Sequence, residues 1–364
     1  MNAGLQSADL VLSGGGVLGI GHVGAVSVLA ERDVRFERIA GTSAGSIVGS
    51  LLAAGMSSTR LRELLRSVDY PRFLDAPALD RIPVLGAPLS VVLENGYAEG
   101  RYFAQWLAHE LEALGVRTFG DLRRRDDRGA DPRPEHRWKL VVMAADVTRG
   151  QLLRLPWDYE RYGLNPDDQS VAEAVRASIS VPYLFEPAKL TYPGGESLLV
   201  DGGLISNYPI DAFDRTDGQP SRWRTLGVTL IPQLPAGDTK LLPQLAALRL
   251  FPGLRFLESV ITTAVVGRDQ GYLAQPWVRD RTIEVDSLGA NPFDFSIGPD
   301  IVERLYESGR RNRVPGPRRS RNRRVKTISC AHLLADRDQS GYSSLRQARG
   351  SSDSGFGVRL SRKE

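Results

Sequence analysis

One serine flanked by glycines has the pattern of a nucleophile for acyl transfer. Ser43 is the central residue of "GTSAG", a G-x-S-x-G pentapeptide that spans residues 41–45. A nucleophile at a sharp strand-to-helix turn needs small residues two positions before and after it, because strand and helix pack closely around it. Gly41 and Gly45 supply that space, so Ser43 is a candidate nucleophile. The alternative interpretation is a serine in an ordinary Gly/Ala/Ser-rich helix start.

A second glycine-rich turn, "GGGVLG", covers residues 14–19 between a predicted strand and a predicted helix. Backbone N–H groups at such a turn favour an anion, either a dinucleotide phosphate or the oxyanion of an acyl-transfer intermediate. A dinucleotide-binding oxidoreductase would carry an acidic residue about 20 positions on, after the second strand. Asp33 has a suitable distance but precedes that strand. This alternative also leaves Ser43 unexplained.

The third turn, Asp201-Gly202-Gly203, follows the apolar run at residues 198–200. An aspartate at the end of a strand, followed by two glycines, can project into a cleft. The alternative is a two-residue hairpin turn, in which Asp-Gly is frequent. If the cleft interpretation holds, the three glycine-bearing turns together supply a nucleophile, an acid–base group and an oxyanion site.

A serine hydrolase also needs a base, and the histidines do not provide one. The α/β-hydrolase order of Ser, Asp, His leaves only His332, in a region that we expect to be disordered. His22 lies on the first predicted helix, where a helix-surface role is expected. Asp201 is ionised at neutral pH and can take the serine proton directly. It is a weak base, so a desolvated cleft must assist it.

These residues require an α/β fold that brings the ends of several strands together. The apolar runs "ADLVL", "VRFERIAGT", "WKLVVMAADV", "RTLGVTLI" and "RTIEVDSL" predict strands. Amphipathic helices are predicted between them, including a long one in "LRFLESVITTAVVGRDQGYL". This alternation predicts a mostly parallel central sheet flanked by helices.

Charge divides the 364-residue chain into a body, residues 1–309, and a tail, residues 310–364. The tail holds 15 Lys/Arg and 4 Asp/Glu, a net charge of +11, against −7 for the body. It is rich in Arg, Ser and Gly, so we expect it to be disordered. Its arginines could bind nucleic acid or anionic membrane, but without interleaved aromatic residues we expect a solvated extension and no nucleic-acid partner.

The sequence also indicates the cellular compartment and whether a cofactor is needed. Cys330 is the single cysteine, which excludes an intrachain disulfide. The N-terminus lacks the basic region of a signal peptide, and no segment predicts a transmembrane helix. No cluster of ligands has metal-binding spacing, so neither a metal nor a cofactor is expected. We expect a cytoplasmic protein that contacts membranes transiently as a peripheral protein.

The three motifs, in order, resemble those of the patatin-like phospholipases, and most closely the bacterial type. The resemblance rests on "GGGVLGIGHVGAV", "GTSAGS" and "DGGLISNYPI", with "VRASISVPYLFEPAKL" between the last two. It covers roughly residues 8–308, and the motifs lie in a core of about residues 8–212. It implies an α/β-hydrolase-related three-layer fold, a Ser–Asp dyad and hydrolysis of acyl-ester lipids such as phospholipids.

Carried onto this chain, the resemblance makes Ser43 the nucleophile and Asp201 the proton acceptor. Gly41 and Gly45 form the nucleophile elbow, and Gly202 and Gly203 form the turn that supports Asp201. Leu18 stands where many family members have Arg or Lys, so any charge in the glycine turn is lost. The expected oxyanion donors are the N–H groups of Gly14, Gly15, Gly16 and Gly19.

Two further interpretations stay open. A non-catalytic lipid- or protein-binding module could retain the same fold, although the intact Ser43 and Asp201 weigh against it. The apolar, proline-rich stretch from Phe73 to Val92, which includes Leu85, Leu89 and Val91, is a candidate lid or wall of an acyl pocket. Ordinary core and loop packing is the alternative for that stretch. The oligomeric state and the preferred lipid are not predicted.

Overall fold

The computed structural model describes residues 6–74, 96–124, 137–218, 221–231 and 272–311. The strands are β1 (Gln6–Leu12), β2 (Val34–Thr42), β3 (Gly96–Ala98), β4 (Leu140–Asp146), β5 (Gln151–Leu155), β6 (Tyr183–Phe185), β7 (Ala188–Tyr192), β8 (Gly195–Asp201), β9 (Arg224–Ile231) and β10 (Thr282–Asp286). The α-helices that lie wholly within these ranges are α1 (Ile20–Ala30), α2 (Ala44–Ala53), α3 (Ser58–Ser67), α4 (Arg101–Glu112), α5 (Val171–Ser178), α6 (Pro276–Arg279) and α7 (Pro299–Arg310).

The main sheet has eight strands in the hydrogen-bonded order β10-β9-β1-β2-β4-β8-β7, and β5 also pairs with β4. The five strands from β10 to β4 are parallel, whereas β5, β7 and β8 are joined by antiparallel pairing. Parallel neighbours place their carboxyl ends at one edge, and residues that follow β1 and β2 therefore meet there. The predicted α/β class, with a mostly parallel sheet flanked by helices, is confirmed.

The register along β4 brings the ends of β2 and β8 together. Residues 140–143 of β4 pair with β2, residues 144–146 pair with β8, and β5 pairs with residues 142–146. A strand residue has one neighbour on each side, so β5 occupies one edge of β4 while β2 and β8 share the other. The carboxyl end of β2 therefore faces the carboxyl end of β8.

Both faces of the sheet are buried, as continuous apolar strands predict. Leu10, Leu12 and Ile39 point into a large core that α1 to α5 cover. Val11 and Ala40, one residue along from these, point to the other face. That face is covered by three apolar residues of the segment after β8 and by one of α6, which are Tyr208, Ile210, Phe213 and Val278.

Helix α1 is enclosed more fully than the sequence indicates. The apolar spacing predicts one buried face, but the helix is buried on almost all sides because α7 packs over it. A Cβ on Gly24 would lie 2.0 Å from the carbonyl oxygen of Tyr306, and one on Gly309 would lie 2.1 Å from that of Gly21. The helices thus approach at backbone distance. Helix α7 ends at Arg310, within one residue of the proposed boundary between body and tail.

Several predicted features lie outside the described residues: the stretch from Phe73 to Val92 after residue 74, most of the long helix at 254–273, and the tail after residue 311. The short strands β3, β5, β6 and β7 and helix α7 were not predicted. Among the described helices, none combines the length and the apolar character needed to cross a lipid bilayer.

Candidate active site

Ser43 occupies the turn between β2 and α2 in a backbone conformation that non-glycine residues rarely adopt. Its φ is 50° and its ψ is −124°. Such strain persists only where the surrounding structure enforces it, and it is common at functional sites. The carbonyl group of Ser43 accepts hydrogen bonds from the N–H groups of Ser46 and Ile47 in the first turn of α2. The turn therefore presents the Ser43 side chain at the carboxyl edge of the sheet.

The glycines on either side of Ser43 are required by close packing. A Cβ on Gly41 would lie 2.4 Å from the carbonyl oxygen of Gly45. A Cβ on Gly45 would lie 2.4 Å from the carbonyl oxygen of Leu12, in β1. Both distances are shorter than any side chain allows, so the strand, the turn and the helix leave no room for larger residues. This geometry is the one that the pentapeptide predicts for a nucleophile elbow.

Asp201 ends β8 directly opposite Ser43. In the two registers along β4, Thr42 pairs with Met143 and Asp201 pairs with Ala144, the next residue. The Ser43 hydroxyl lies close enough to the Asp201 carboxylate to lower the pKa of that carboxyl. Chain direction and register thus bring together two residues separated by 158 positions in the sequence.

The chain after Asp201 turns into a short 3₁₀ helix, Gly202–Leu204, and not into a hairpin. The N–H of Gly203 donates to Oδ1 of Asp201 at 2.7 Å, which fixes the carboxylate. A Cβ on Gly202 would lie 2.4 Å from the carbonyl oxygen of Met143. Gly202 therefore lets the turn pack against β4, while Gly203 supplies a donor, and the hairpin interpretation is wrong.

Burial makes Asp201 a stronger base than an ordinary carboxylate. The residue is 6% exposed. Desolvation raises the pKa of Asp201 to about 7, while the hydrogen bond from the Gly203 N–H and the nearby Ser43 hydroxyl act to lower it. Within the described part of the chain, no Lys or Arg forms an ion pair with this carboxylate. A base with a pKa near 7 is half-ionised at neutral pH and accepts a proton readily.

The glycine turn lies over Ser43, but its members serve different purposes. A Cβ on Gly14 would lie 3.3 Å from the Cβ of Ser43 and 2.0 Å from Oδ1 of Asn207. The N–H of Gly14 donates to the carbonyl oxygen of Asn207 at 2.9 Å. Gly14 was expected to be an oxyanion donor, but this bond engages its N–H. Its lack of a side chain instead keeps the space above Ser43 open.

Gly15, Gly16 and Gly19 were the other expected donors. Among the described residues, no hydrogen bond engages the N–H of Gly15 or Gly16. Gly16 has a φ of 54°, and the following N–H of Val17 donates to Pro292. Gly19 ends the short 3₁₀ helix, where a Cβ would lie 3.3 Å from the Cβ of Ala44. Gly15 and Gly16 therefore keep available donors, and Gly19 allows the turn to pack against α2.

His22 is not a surface residue, as the sequence suggested, but lies fully buried beneath the glycine turn. Its Nε2–H donates to the carbonyl oxygen of Ser13 at 2.8 Å, directly before the turn. Burial lowers the pKa of His22 to about 4, so the ring is neutral at pH 7. His109 is exposed on α4, and His136 and His332 lie outside the described residues. His22 thus supports the glycine turn, and neither described histidine contacts Asp201.

Sequence reasoning missed two residues that contact the site. Ser178, at the end of α5, accepts a hydrogen bond from the backbone N–H of Ser43 through its Oγ at 2.9 Å. Asn207 holds the glycine turn through its carbonyl oxygen. Both lie inside the quoted motifs "VRASIS" and "DGGLISNYPI", which was the available signal. In the part of the chain that the structure describes, no group of His, Cys, Asp and Glu could hold a metal ion.

The alternative dinucleotide site does not have the required geometry. An acidic residue that binds a ribose follows the second strand, at the carboxyl edge of the sheet. Asp33 lies in the turn before β2, with a φ of 58°, and hence at the opposite edge. The residues that do meet the glycine turn are those of the candidate active site.

The chain is similar to a family model, to curated proteins and to solved structures. The model of the family described as patatin-like phospholipase matches residues 10–214. Protein YqhO of Bacillus subtilis is 40% identical over 229 residues, which are 62% of this chain and 72% of that protein. Human patatin-like phospholipase domain-containing protein 6 is 40% identical over 202 residues, 56% of this chain but 12% of that protein. The crystal structure of VipD from Legionella pneumophila aligns with a TM-score of 0.46 at 19% identity, covering 84% of this chain and 65% of that one.

Proposed function

Because the chain belongs to the patatin-like phospholipase family, we propose that it is a serine hydrolase that cleaves the carboxylic esters of lipids. Family membership implies lipid acyl hydrolase activity in general. The finer proposal is a phospholipase A or lysophospholipase reaction carried out by a dyad of Ser43 and Asp201. The observation that carries it is the juxtaposition of the strained Ser43 with a buried carboxylate whose pKa is about 7, where the ends of β2 and β8 meet.

In the first step, Ser43 Oγ attacks the ester carbonyl while Asp201 accepts the hydroxyl proton. The carbonyl oxygen becomes an oxyanion, which the N–H groups of Gly15 and Gly16 stabilise. Removing one such donor costs about 10²- to 10³-fold in rate in other serine hydrolases. The C–O bond to the leaving alcohol then breaks, and Asp201 returns its proton to the alcohol oxygen. An acyl-serine remains.

The second step repeats the first with water as the nucleophile. Asp201 takes a proton from water as the oxygen attacks the acyl-serine carbonyl. The same N–H groups stabilise the second tetrahedral intermediate. When it collapses, the proton returns to Ser43 Oγ and the fatty acid leaves. One carboxylate serves as base and acid in both steps, which suits a group whose pKa is close to the working pH.

The proposed function also includes a substrate class, a location in the cell and the extent of the domain. We propose a phospholipid or a related acyl-ester lipid as substrate, reached by transient contact with a membrane surface from a cytoplasmic location. The acyl hydrolase domain is proposed to extend to residue 309, with its motifs in residues 8–212 and a basic tail after it. The chain spans 29% of the length of one Mycobacterium tuberculosis relative, a protein of the NTE family.

The test compares the wild type with Ser43→Ala and Asp201→Asn on a short-chain p-nitrophenyl ester and on phosphatidylcholine vesicles with EDTA. Loss of either group should lower kcat/KM by about 10³-fold or more, because nucleophile and base act as a unit. Ser50→Ala is the matched control. The Ser50 hydroxyl donates to the carbonyl oxygen of Ile47 within α2 and does not contact the dyad.

The pH dependence gives a second arm of the same experiment. The kcat/KM of the wild type should rise with pH through about 7, because Asp201 must be ionised to accept the proton. Activity that survives Ser43→Ala would contradict the mechanism. A wild type with no activity on any ester, yet binding to the vesicles, would favour the lipid-binding module.

A further inference from the structure

A short segment at the end of α5 contacts both halves of the proposed dyad. The Ser178 side chain is completely buried, and its Oγ accepts the N–H of Ser43 at 2.9 Å. Two residues later, the carbonyl oxygen of Ser180 accepts the N–H of Asp201 at 2.8 Å. Residues 178–180 therefore hold the backbones of the nucleophile and of the carboxylate simultaneously.

The sheet itself does not make this connection. Strands β2 and β8 each pair with β4, and they meet end to end without being paired to each other. The Ser43 hydroxyl and the Asp201 carboxylate therefore need an element that fixes the two strand ends relative to one another. Segment 178–180 is positioned to do this, because one bond goes to each strand end.

The segment is itself firmly anchored. The guanidinium of Arg176, which is 6% exposed, donates to Oγ of Ser180 and to the carbonyl oxygen of Glu99, and at 3.0 Å to that of Glu186. Oγ of Ser180 donates in turn to the carbonyl oxygen of Arg176 at 2.8 Å. These bonds tie the segment to the ends of β3 and β6. A rigid support of this kind can impose a strained conformation on its partner.

We propose that Ser178 is a positioning residue, whose hydroxyl holds the backbone of Ser43 in its strained, positive-φ conformation so that Oγ faces Asp201. The proposal rests on the proposed hydrolase function. It also gives the Ser43 N–H a structural role: this group donates to Ser178 Oγ and is therefore not an oxyanion donor. Loss of the Ser178 hydroxyl would leave that N–H buried without its acceptor. The turn would relax, and the hydroxyl of Ser43 would leave the carboxylate.

The experiment uses Ser178→Thr and Ser178→Val, which have nearly the same volume and differ by the hydroxyl. Any cost of the added methyl group is common to both, so the difference between them reports the hydrogen bond. Ser178→Ala, which adds no volume, is the second variant if the larger residues prevent folding. Ser50→Ala is the control for loss of a buried helix hydroxyl away from the dyad.

We expect kcat of Ser178→Val to fall about ten- to hundredfold below that of Ser178→Thr, as small misplacements of a reacting group cost that much. KM should change by less than about twofold, since substrate binding is not involved. The acid limb of the pH profile should move to higher pH, because the Ser43 hydroxyl lowers the pKa of Asp201. A residue that only stabilised the fold would lower the melting temperature without moving this limb.

Equal kcat values and pH profiles for the Thr and Val variants would overturn the inference while leaving the hydrolase function in place. Hydrogen exchange at the Ser43 amide provides a readout that needs no activity. Exchange faster in Ser178→Val than in Ser178→Thr supports the positioning role even for a wild type inactive on the chosen esters, whereas equal exchange contradicts it. Failure of the proposed function and failure of this inference are therefore distinguishable.

Discussion

Two carboxylates buried in the same sheet, Asp9 and Asp201, have different surroundings. Asp9, at the midpoint of β1, is fully buried and accepts two hydrogen bonds from the Arg38 guanidinium, one from Nε at 2.9 Å. Asp201, at the carboxyl edge, is 6% exposed, accepts a hydrogen bond from the Gly203 N–H and lies near the Ser43 hydroxyl. Desolvation raises the pKa of both groups, but at Asp9 the arginine opposes it.

The difference separates a structural carboxylate from one suited to catalysis. Arg38 is itself buried, and its guanidinium stacks on the ring of Phe213 at 4.4 Å. The Asp9–Arg38 ion pair is neutral overall and packs on the face of the sheet that Phe213 covers. The cation beside Asp9 favours its charged form and offsets part of the desolvation that raises its pKa. Among the described residues, no cation pairs with Asp201, so desolvation raises its pKa and makes it a stronger base.

The largest effect is expected from making Asp9 resemble Asp201. Arg38→Met removes the cation and leaves a carboxylate buried without its partner. Breaking a buried pair in this way costs about 3–5 kcal/mol of stability. Urea denaturation at pH 8 should show this loss, and the loss should shrink as the pH is lowered, because protonation of Asp9 relieves the buried charge. The kcat of the folded fraction should match the wild type, and a changed kcat would show that the two carboxylate sites are coupled.

A somewhat smaller effect is expected on the pH dependence of stability when Asp201 is replaced by the uncharged Asn. The pKa of Asp201 is about 7 in the folded chain and about 4 when unfolded, so the unfolded state releases its proton first as pH rises. This group's contribution to stability is therefore fully present below pH 4 and is lost between pH 4 and 7. From pH 5 to pH 8 the wild type should lose about 2–3 kcal/mol relative to Asp201→Asn, which has no such proton.

The measurement for this second prediction is a set of denaturant melts of both proteins at several pH values. Glu173→Gln, a change of the same kind at an exposed position in the first turn of α5, is the control. A stability difference between wild type and Asp201→Asn that is independent of pH would mean that the Asp201 pKa is unshifted. In that case Asp201 would not differ from an ordinary surface carboxylate, and the comparison with Asp9 would fail.

The sequence predicted the parts of the site that are specified by local motifs. Ser43 and its two glycines lie within five residues, because the close approach of strand and helix constrains each neighbour directly. The Asp201 turn and the glycine turn are also marked by short motifs, although Gly202 packs against Met143 and Gly14 against Asn207. The order of apolar strands and helices was enough to predict a parallel sheet, since both faces of such a sheet are buried.

The parts that were not predicted depend on contacts between distant segments. Ser178 lies 135 residues from Ser43, and no spacing in the sequence relates the two. The N–H of Gly14 was expected to face an oxyanion, but Asn207 takes it from a different turn. His22 was placed on a helix surface, since its own helix does not reveal that the chain covers it. Likewise, the short antiparallel strands β5 and β7 have too few residues for a clear pattern.

The smallest effect is expected when the whole ion pair is replaced. Asp9→Leu combined with Arg38→Met removes both charges and keeps two side chains that pack against Phe213 and its neighbours. Replacing a buried pair by apolar residues of similar volume is often neutral or stabilising, so stability should stay within about 1.5 kcal/mol of the wild type. Denaturant melts and ester kinetics of the double variant test this, with Arg38→Met alone as the reference. Recovery of stability with unchanged kcat would show that the charge of Asp9 serves only its own pairing. A double variant as unstable as Arg38→Met would instead assign the cost to lost stacking of the guanidinium, and the contrast between the two carboxylates would then rest on Asp201 alone.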